Sequence, residues 1–147
     1  MALTREQNDA WRSLVLATHV LDDALDRQSQ RDGGLPHAYY KVLIFLYEAP
    51  ERRMTMSALA DTLRFSLSRM THAIASMEKS GWLLRSIDPD DRRVRIVRLT
   101  EQGVALVRHV SPRQATEVRE KAFAQLTPQQ VEQLTEIGRA LVAGLDA

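Results

Sequence analysis

Residues 55–100, TMSALADTLRFSLSRMTHAIASMEKSGWLLRSIDPDDRRVRIVRLT, contain the pattern that decides the fold. Thr55 and Ser66 are suitable N-caps for two short helices, over residues 56–63 and 67–80, because a hydroxyl can accept a hydrogen bond from the free backbone N–H groups of a first helical turn. Only three residues separate these helices. The spacing therefore predicts two short helices joined by a tight turn, a helix-turn-helix.

The second of these helices has one apolar face and one polar face. Leu67, Met70, Ile74 and Met77 recur at intervals of three and four residues, and we expect all four to face the core. Gly81 is placed to end the helix in the left-handed conformation. The outward faces then carry short hydrogen-bonding groups and cations, which suit contact with base edges and phosphates in a major groove. These outward side chains include Ser68, Arg69, Thr71, His72 and Ser76.

A β-hairpin is predicted directly after this helix. Residues 82–87 and 94–99 are rich in β-branched and bulky side chains, and the polar segment 88–93 between them predicts an exposed tip. Asp91 and Arg93 are spaced to pair, since guanidinium and carboxylate groups fit each other bidentately. The hairpin is rich in arginine, at Arg85, Arg92, Arg93, Arg95 and Arg98.

Charge is unevenly distributed, although the net charge is only +1. The segment 52–98 contains ten of the 20 Lys and Arg residues but only five of the 19 Asp and Glu residues. A basic centre between acidic flanks is typical of a polyanion-binding module, but charge alone does not distinguish it from an ordinary basic surface.

Longer helices are predicted on both sides of this centre. Apolar spacing indicates a helix over residues 6–30, and proline boundaries favour a helix over residues 37–48. Thr100 is a candidate N-cap for a long helix that we expect to kink or break at Pro112, with the preceding serine as a new cap. A capping box and a proline at N1 mark the start of the last helix at Thr127.

The hairpin motif resembles a known family. Asp91-Arg92-Arg93, followed after five residues by Leu99-Thr100, is similar to the Asp-x-Arg-x5-Leu-Thr wing motif of MarR-type transcriptional regulators. Leu59-Ala60, the segment 77–81 and Gly103 also fit the family pattern. The helix order and chain length agree, so the resemblance extends over essentially the whole chain.

This resemblance implies a mainly α fold with a small β-hairpin wing, as one MarR-like domain over residues 1–147. Residues 36–100 would form the winged helix-turn-helix, and residues 1–35 and 101–147 the helical dimerisation region. It implies a homodimer that binds pseudo-palindromic double-stranded DNA, most often as a repressor. Arg93 would enter the minor groove, with Asp91 orienting it. The expected DNA-binding residues are Ser66, Ser68, Arg69, Thr71, His72, Ser76, Asp91, Arg92, Arg93 and Arg95.

Two positions depart from the family pattern. His72 stands where family members often have Arg or Lys, so its contact is expected to be weaker and sensitive to pH. Arg64 stands at a turn position often held by glycine, and a positive φ there would cost roughly 1 kcal/mol.

The resemblance also implies a small, often aromatic or phenolic effector that releases DNA, with Trp11, His19, Tyr39 and Tyr40 as candidate contacts. Taken individually, each of the four is more often a core aromatic or a histidine with satisfied hydrogen bonds than a ligand contact. The apolar stripes of the first and last helices predict a dimer, because a monomer would expose them; packing on their own domain is the alternative.

Other functions are less consistent with the sequence. A protein-binding winged helix remains the alternative function, although such modules usually lack the wing arginines. No nucleophile-elbow, phosphate-loop or zinc-protease motif is present, so no enzyme, catalytic residue or cofactor is predicted.

The absence of cysteine excludes disulfides and thiolate zinc sites, and the histidines lack metal-ligand spacing. Without an apolar run near 18 residues we expect no membrane association, and a cytoplasmic, nucleoid-associated protein.

Overall fold

The computed structural model describes residues 2–146, whose helices and strands follow the predicted order with one additional strand, β1. The elements are α1 (Arg5–Gly33), α2 (His37–Glu48), β1 (Arg53–Thr55), α3 (Met56–Leu63), α4 (Leu67–Lys79), β2 (Leu83–Ile87), β3 (Arg95–Leu99), α5 (Glu101–Lys121) and α6 (Pro128–Leu145), with 3₁₀ turns at Pro50–Arg52 and Phe123–Gln125. The predicted fold class, mainly α with a winged helix-turn-helix, is confirmed.

Local hydrogen bonds explain why most helix ends were predictable. Thr55, Ser66, Thr100 and Thr127 each accept a hydrogen bond from the backbone N–H three residues later, which satisfies a donor that the first turn leaves free. Gly81 has a φ of 82°, and its N–H donates to the carbonyl two residues before the C-cap, as in a Schellman motif. The caps predicted at Thr55, Ser66, Gly81, Thr100 and Thr127 are therefore confirmed, whereas Ser111, which was predicted to cap a new helix, lies inside α5.

The sheet contains a strand that the sequence did not reveal. β1 has only three residues, and it pairs antiparallel with β3 on the side opposite β2, so the strand order is β1-β3-β2. Three residues are too few for a period-two pattern to be recognised. The wing is consequently attached to the chain segment before α3 as well as to the segment after α4.

The core lies between the winged region and α5. Buried side chains come from α2, α3, α4, β2, β3 and α5, among them Tyr40, Leu43, Leu46, Leu59, Met70, Ile74, Met77, Leu83, Val97, Val104, Val107 and Val110. By contrast, no side chain of α6 is buried over the described part of that helix. The core thus fixes α4 and the hairpin in one unit, whereas the described part of the chain leaves most of α6 exposed.

The prediction of a kink or break at Pro112 is wrong, because α5 continues as one helix from Glu101 to Lys121. Pro112 is exposed, so the carbonyl that loses its helical partner faces the solvent side of α5. The buried Val107 and Val110 hold the preceding turn against the core. The Arg113 guanidinium also donates to the His109 carbonyl at 2.7 Å. Tertiary packing therefore offsets the cost of an internal proline.

The prediction that Leu67 faces the core is also wrong, since its side chain is 63 % exposed. Leu67 is the first residue of α4, and this end of the helix extends beyond the core. Ala73, fully buried in the middle of the helix, joins Met70, Ile74 and Met77 on the inward face. Periodicity identified the face correctly but not the point along the helix where burial begins.

Candidate nucleic-acid interface

The predicted DNA-binding residues of the helix-turn-helix lie on the solvent side of α4 or at its start. Ser68, Arg69, His72 and Ser76 are exposed. Two hydroxyls already take part in local bonds: Ser66 Oγ accepts from the Arg69 N–H at 3.1 Å, and Thr71 Oγ1 donates to the Leu67 carbonyl at 2.9 Å. The outward face therefore offers Arg69, His72 and two free serine hydroxyls.

The wing tip is a tight loop held by aspartate side chains. Asp88 Oδ1 accepts from the N–H groups of Asp90 and Asp91, at 2.7 and 3.2 Å. The Asp91 carboxylate accepts from the Arg93 backbone N–H at 3.0 Å and from Nε and Nη2 of the same arginine, both at 3.2 Å. The predicted pairing of Asp91 with Arg93 is confirmed.

Electrostatics at the tip follow from this pairing. The Arg93 guanidinium holds the pKa of the Asp91 carboxyl below its usual value, first through the side-chain hydrogen bond and then through the backbone one. The Arg93 side chain is nevertheless 91 % exposed. Asp91 therefore restricts the direction of Arg93 without removing it from solvent.

A groove of about 310 Å³ lies between α4 and the hairpin. It is lined by Met56, Thr71, Arg85, Ser86, Ile87 and Arg95, which come from α3, α4, β2 and β3. Arg95 Nη1 also donates to the Arg92 carbonyl at 2.8 Å, which connects one side of the groove to the wing tip. The outward side of α4 and the basic hairpin consequently form one continuous surface.

The pair formed by Glu78 and Arg85 was missed in the sequence. Glu78 Oε1 accepts from Arg85 Nε and Nη2, at 3.2 and 2.9 Å, and Oε2 accepts from the Arg85 backbone N–H at 2.8 Å. These bonds lower the pKa of the Glu78 carboxyl. They connect the end of α4 to β2 and so fix the orientation of α4 relative to the wing. A seven-residue separation across a turn has no periodic signal.

Arg64 adopts the strained conformation that its position suggested. Its φ is 55° and its ψ is 35°, at the C-cap of α3. Its Nη2 donates to Asp146 Oδ2 at 2.8 Å, a contact 82 residues away in the chain. The left-handed backbone carries the expected cost of roughly 1 kcal/mol. The turn between the two motif helices therefore contacts the end of α6.

The four candidate effector contacts differ in exposure within residues 2–146. Trp11 and His19 are exposed on α1, with His19 Nε2 3.6 Å from Asp23 Oδ2. Tyr39 is half-buried, and Tyr40 is fully buried, which raises the pKa of its hydroxyl. A shared effector site at these residues stays a prediction.

Metal and membrane sites are not evident over residues 2–146. No group of three or more His, Asp or Glu side chains in this range is placed to hold a metal ion. None of its helices combines the length and the apolar character needed to cross a membrane.

Comparisons with known proteins agree on one family. The model of the MarR family matches residues 35–94. The crystal structure of Sco3205 from Streptomyces coelicolor, a MarR family transcriptional regulator in complex with DNA, is 41 % identical with a TM-score of 0.96, covering 100 % of this chain and 92 % of that chain. The chain belongs to the MarR family of transcriptional regulators.

Two further relatives are consistent with this assignment. AbsC from Streptomyces coelicolor, another MarR family transcriptional regulator, is 30 % identical with a TM-score of 0.94, over 99 % of this chain and 98 % of that one. The transcriptional repressor MprA of Escherichia coli (strain K12) is 27 % identical over 89 % of this chain and 75 % of its own length. The family model covers α2 to the wing tip of this MarR-family chain, including every predicted DNA-binding residue except Arg95.

Proposed function

We propose that this MarR-family regulator binds double-stranded DNA sequence-specifically as a homodimer and represses transcription from a pseudo-palindromic operator. In this proposal residues 36–100 contact DNA, and residues 1–35 and 101–147 form the dimer. α4 enters the major groove, where Arg69 contacts a base edge and the hydroxyls and His72 contact base or phosphate. Arg93 enters the adjacent minor groove, whose negative potential attracts guanidinium groups.

The observation that carries the proposal is the continuous surface from α4 to the wing. Thr71 on α4 and Arg85 and Arg95 on the hairpin line one groove, and Arg95 also bonds to the carbonyl of Arg92, the neighbour of the exposed Arg93. Backbone phosphates of duplex DNA pass between a recognition helix and a wing, and arginine binds them well. Sco3205, the relative with 41 % identity, was crystallised in complex with DNA. MprA is named a transcriptional repressor.

Exposed apolar side chains support the homodimer. On α1 and α6 they are Trp11, Leu14, Val15, Leu16, Val20, Leu21, Leu134, Ile137, Leu141, Val142 and Leu145. A patch of this extent is unusual on a monomer. Pairing these helices across a two-fold axis would cover the patch and separate the recognition helices by about one DNA turn. This favours dimerisation over packing of the terminal helices on their own domain.

The proposal includes release of DNA by an effector. A small aromatic or phenolic effector would bind near Trp11, His19, Tyr39 and Tyr40. Tyr39 and Tyr40 lie on α2, which packs against both α1 and α5, so a ligand there would act on the connection between the dimer helices and the winged region.

Selection of bound duplexes from a random DNA pool tests the function directly. The full-length chain is expected to enrich a two-fold symmetric sequence whose half-sites lie about one turn apart. Failure to enrich any sequence would contradict specific DNA binding.

Salt dependence distinguishes DNA binding from the alternative, a protein-binding winged helix. Affinity for the selected duplex should fall steeply as salt is raised, because several arginines displace counterions from phosphates. A variant lacking charge at Arg92 and Arg95 should give a shallower slope than the natural chain. A flat response in the natural chain would favour the protein-binding alternative.

A further inference from the structure

An aromatic ring supports one arginine of the recognition helix. The Cζ atom of Arg69 lies 3.9 Å from the centroid of the Phe65 ring. At this distance the guanidinium is in contact with the ring face, which favours a cation electrostatically. Phe65 lies in the turn between α3 and α4, whereas Arg69 is the third residue of α4. The contact therefore joins the turn to the face of α4 that is directed toward solvent.

Phe65 is itself held in place. Its ring is half-buried and packs against the main core. Its backbone N–H donates to the Ala60 carbonyl at 2.9 Å, and the next residue, Ser66, caps α4. Both the backbone and the side chain of Phe65 are thus fixed by the fold, so its ring is a rigid support for the more flexible arginine.

The hydrogen-bonding edge of Arg69 is free among the described residues. Its side chain takes part in none of their hydrogen bonds or ion pairs, whereas Arg85 is paired with Glu78 and Arg93 with Asp91. One face of the guanidinium is covered and its N–H donors are unused. This combination is typical of a group prepared for a ligand that bonds in the plane of the guanidinium.

We propose that Phe65 is a positioning residue that holds Arg69 in the conformation for contacting guanine. The inference rests on the proposed function and names the specificity determinant within it. Guanine presents two acceptors, O6 and N7, that match the planar fork of arginine. A free arginine loses much side-chain freedom when it forms this pair, and an arginine already held on a ring loses less. Phe65 would act on base preference although it does not contact the base.

A purely structural role for Phe65 makes different predictions. If the ring only filled the core, its loss would weaken specific and non-specific DNA binding together, in proportion to the loss of stability. The same loss would occur whether or not Arg69 is present. If the ring positions Arg69, its loss affects one base pair in each half-site and requires Arg69.

The test uses pool selection followed by titration on duplexes substituted at each half-site position. Phe65→Leu keeps an apolar side chain but removes the aromatic face, and Phe65→Tyr keeps the face. Arg69→Ala identifies the base pair that Arg69 contacts, and Phe65→Leu/Arg69→Ala completes a double-mutant cycle. Leu63→Ala is the matched packing control, since Leu63 ends α3 and packs against the same core without stacking on Arg69.

For Phe65→Leu we expect discrimination at that base pair to fall by roughly threefold to thirtyfold, the range of a cation–π contact. Affinity for a scrambled duplex and the salt slope should stay unchanged, because the charge of Arg69 remains. Phe65→Tyr should behave as the natural chain, and Phe65→Leu should have no effect on discrimination when Arg69 is already alanine. Leu63→Ala should leave base preference unchanged.

Two results would overturn the inference: an unchanged base preference in Phe65→Leu, or additive effects of the two substitutions. Both differ from failure of the proposed function, in which the natural chain enriches no sequence. If Phe65→Leu lacks a cooperative thermal transition, the comparison of Phe65→Tyr with Phe65→Met is made instead. The ring-current shift of the Arg69 δ-protons in the free protein then reports whether the stack is present in each variant.

Discussion

At the scale of single residues, the arginines of the hairpin differ in how far their partners restrict them. Arg85 donates from both Nε and Nη2 to Oε1 of Glu78, which ties it to α4. Arg93 is paired with Asp91 on the same loop and remains almost fully exposed. The first arrangement suits a structural connection. The second suits an arginine that extends into a groove while keeping a defined direction.

Replacing Arg93 with alanine should weaken specific DNA binding by roughly 1–3 kcal/mol without unfolding the dimer, because the side chain contributes nothing to the core. Gel-shift titration on the selected palindrome measures the change. Asp91→Asn should have a smaller effect, since Arg93 keeps its charge but loses an ionic partner. Arg119→Ala, an exposed arginine near the end of α5, is the control and should leave affinity unchanged. Equal affinity of Arg93→Ala and the natural chain would remove Arg93 from the interface.

At the scale of elements, the first turn of α5 fixes the position of the wing through contacts with the chain on both sides of the hairpin. Thr100 caps α5, and its Oγ1 donates to the Gly81 carbonyl at 2.6 Å, so the same residue contacts both ends of the hairpin region. Gly103, in the first turn of α5, is buried against the backbone of Trp82. A Cβ atom there would lie 2.1 Å from the Trp82 carbonyl oxygen and 2.6 Å from Leu99 Cδ1. α5 therefore packs directly on the chain that enters β2.

Gly103→Ala should destabilise the fold by about 1–3 kcal/mol, because a backbone oxygen must move to admit the methyl group. Gly144→Ala is the matched control: it lies in α6, and a Cβ atom there meets nothing within 4 Å in this chain. The control should be neutral or stabilising by roughly 0.5–1 kcal/mol, the ordinary gain of alanine over glycine in a helix. Urea unfolding midpoints distinguish the two. Similar midpoints for both variants would contradict the close packing at Gly103.

At the scale of the whole molecule, α6 is the helix whose apolar side chains remain exposed in a single chain. Its side chains at Leu134, Ile137 and Leu141 are between 42 % and 55 % exposed, and they lie on one side of the helix. At its end α6 contacts the winged region, where Arg64 donates to its C-cap Asp146. The helix is stable locally because of its capping box, but its apolar side requires a second surface.

Ile137→Glu should dissociate the proposed dimer, since a carboxylate would be buried in an apolar interface without a partner. We expect self-association to weaken at least tenfold, about 1.4 kcal/mol, with a matching loss of affinity for the two-half-site duplex. Ala143→Glu introduces the same charge on the opposite side of α6 and should leave the dimer intact. Sedimentation equilibrium measures both variants. A dimer that tolerates Ile137→Glu as well as Ala143→Glu would place the interface elsewhere.

Much of the fold follows from short segments of sequence. The bounds of α2 and α3 agree with prediction because prolines and a capping threonine act within a few residues. The pairing of Asp91 with Arg93 was predictable for the same reason, since the partners lie only two positions apart in the chain. Nine of the ten predicted interface residues are also exposed as expected: Ser66 before α4, five residues on α4 and the three arginines of the wing.

Only the tertiary structure decided the features that depend on distant parts of the chain. The pairing of β1 with β3, the bond between Glu78 and Arg85 and the unbroken course of α5 through Pro112 all require neighbours that local pattern does not specify. Leu67 is exposed because its helix extends beyond the core, although its spacing is that of an inward residue. Capping and periodicity act over one or two helical turns, so they can be recognised in sequence. Burial and strand pairing depend on where the chain returns, and that is determined by packing of the whole molecule.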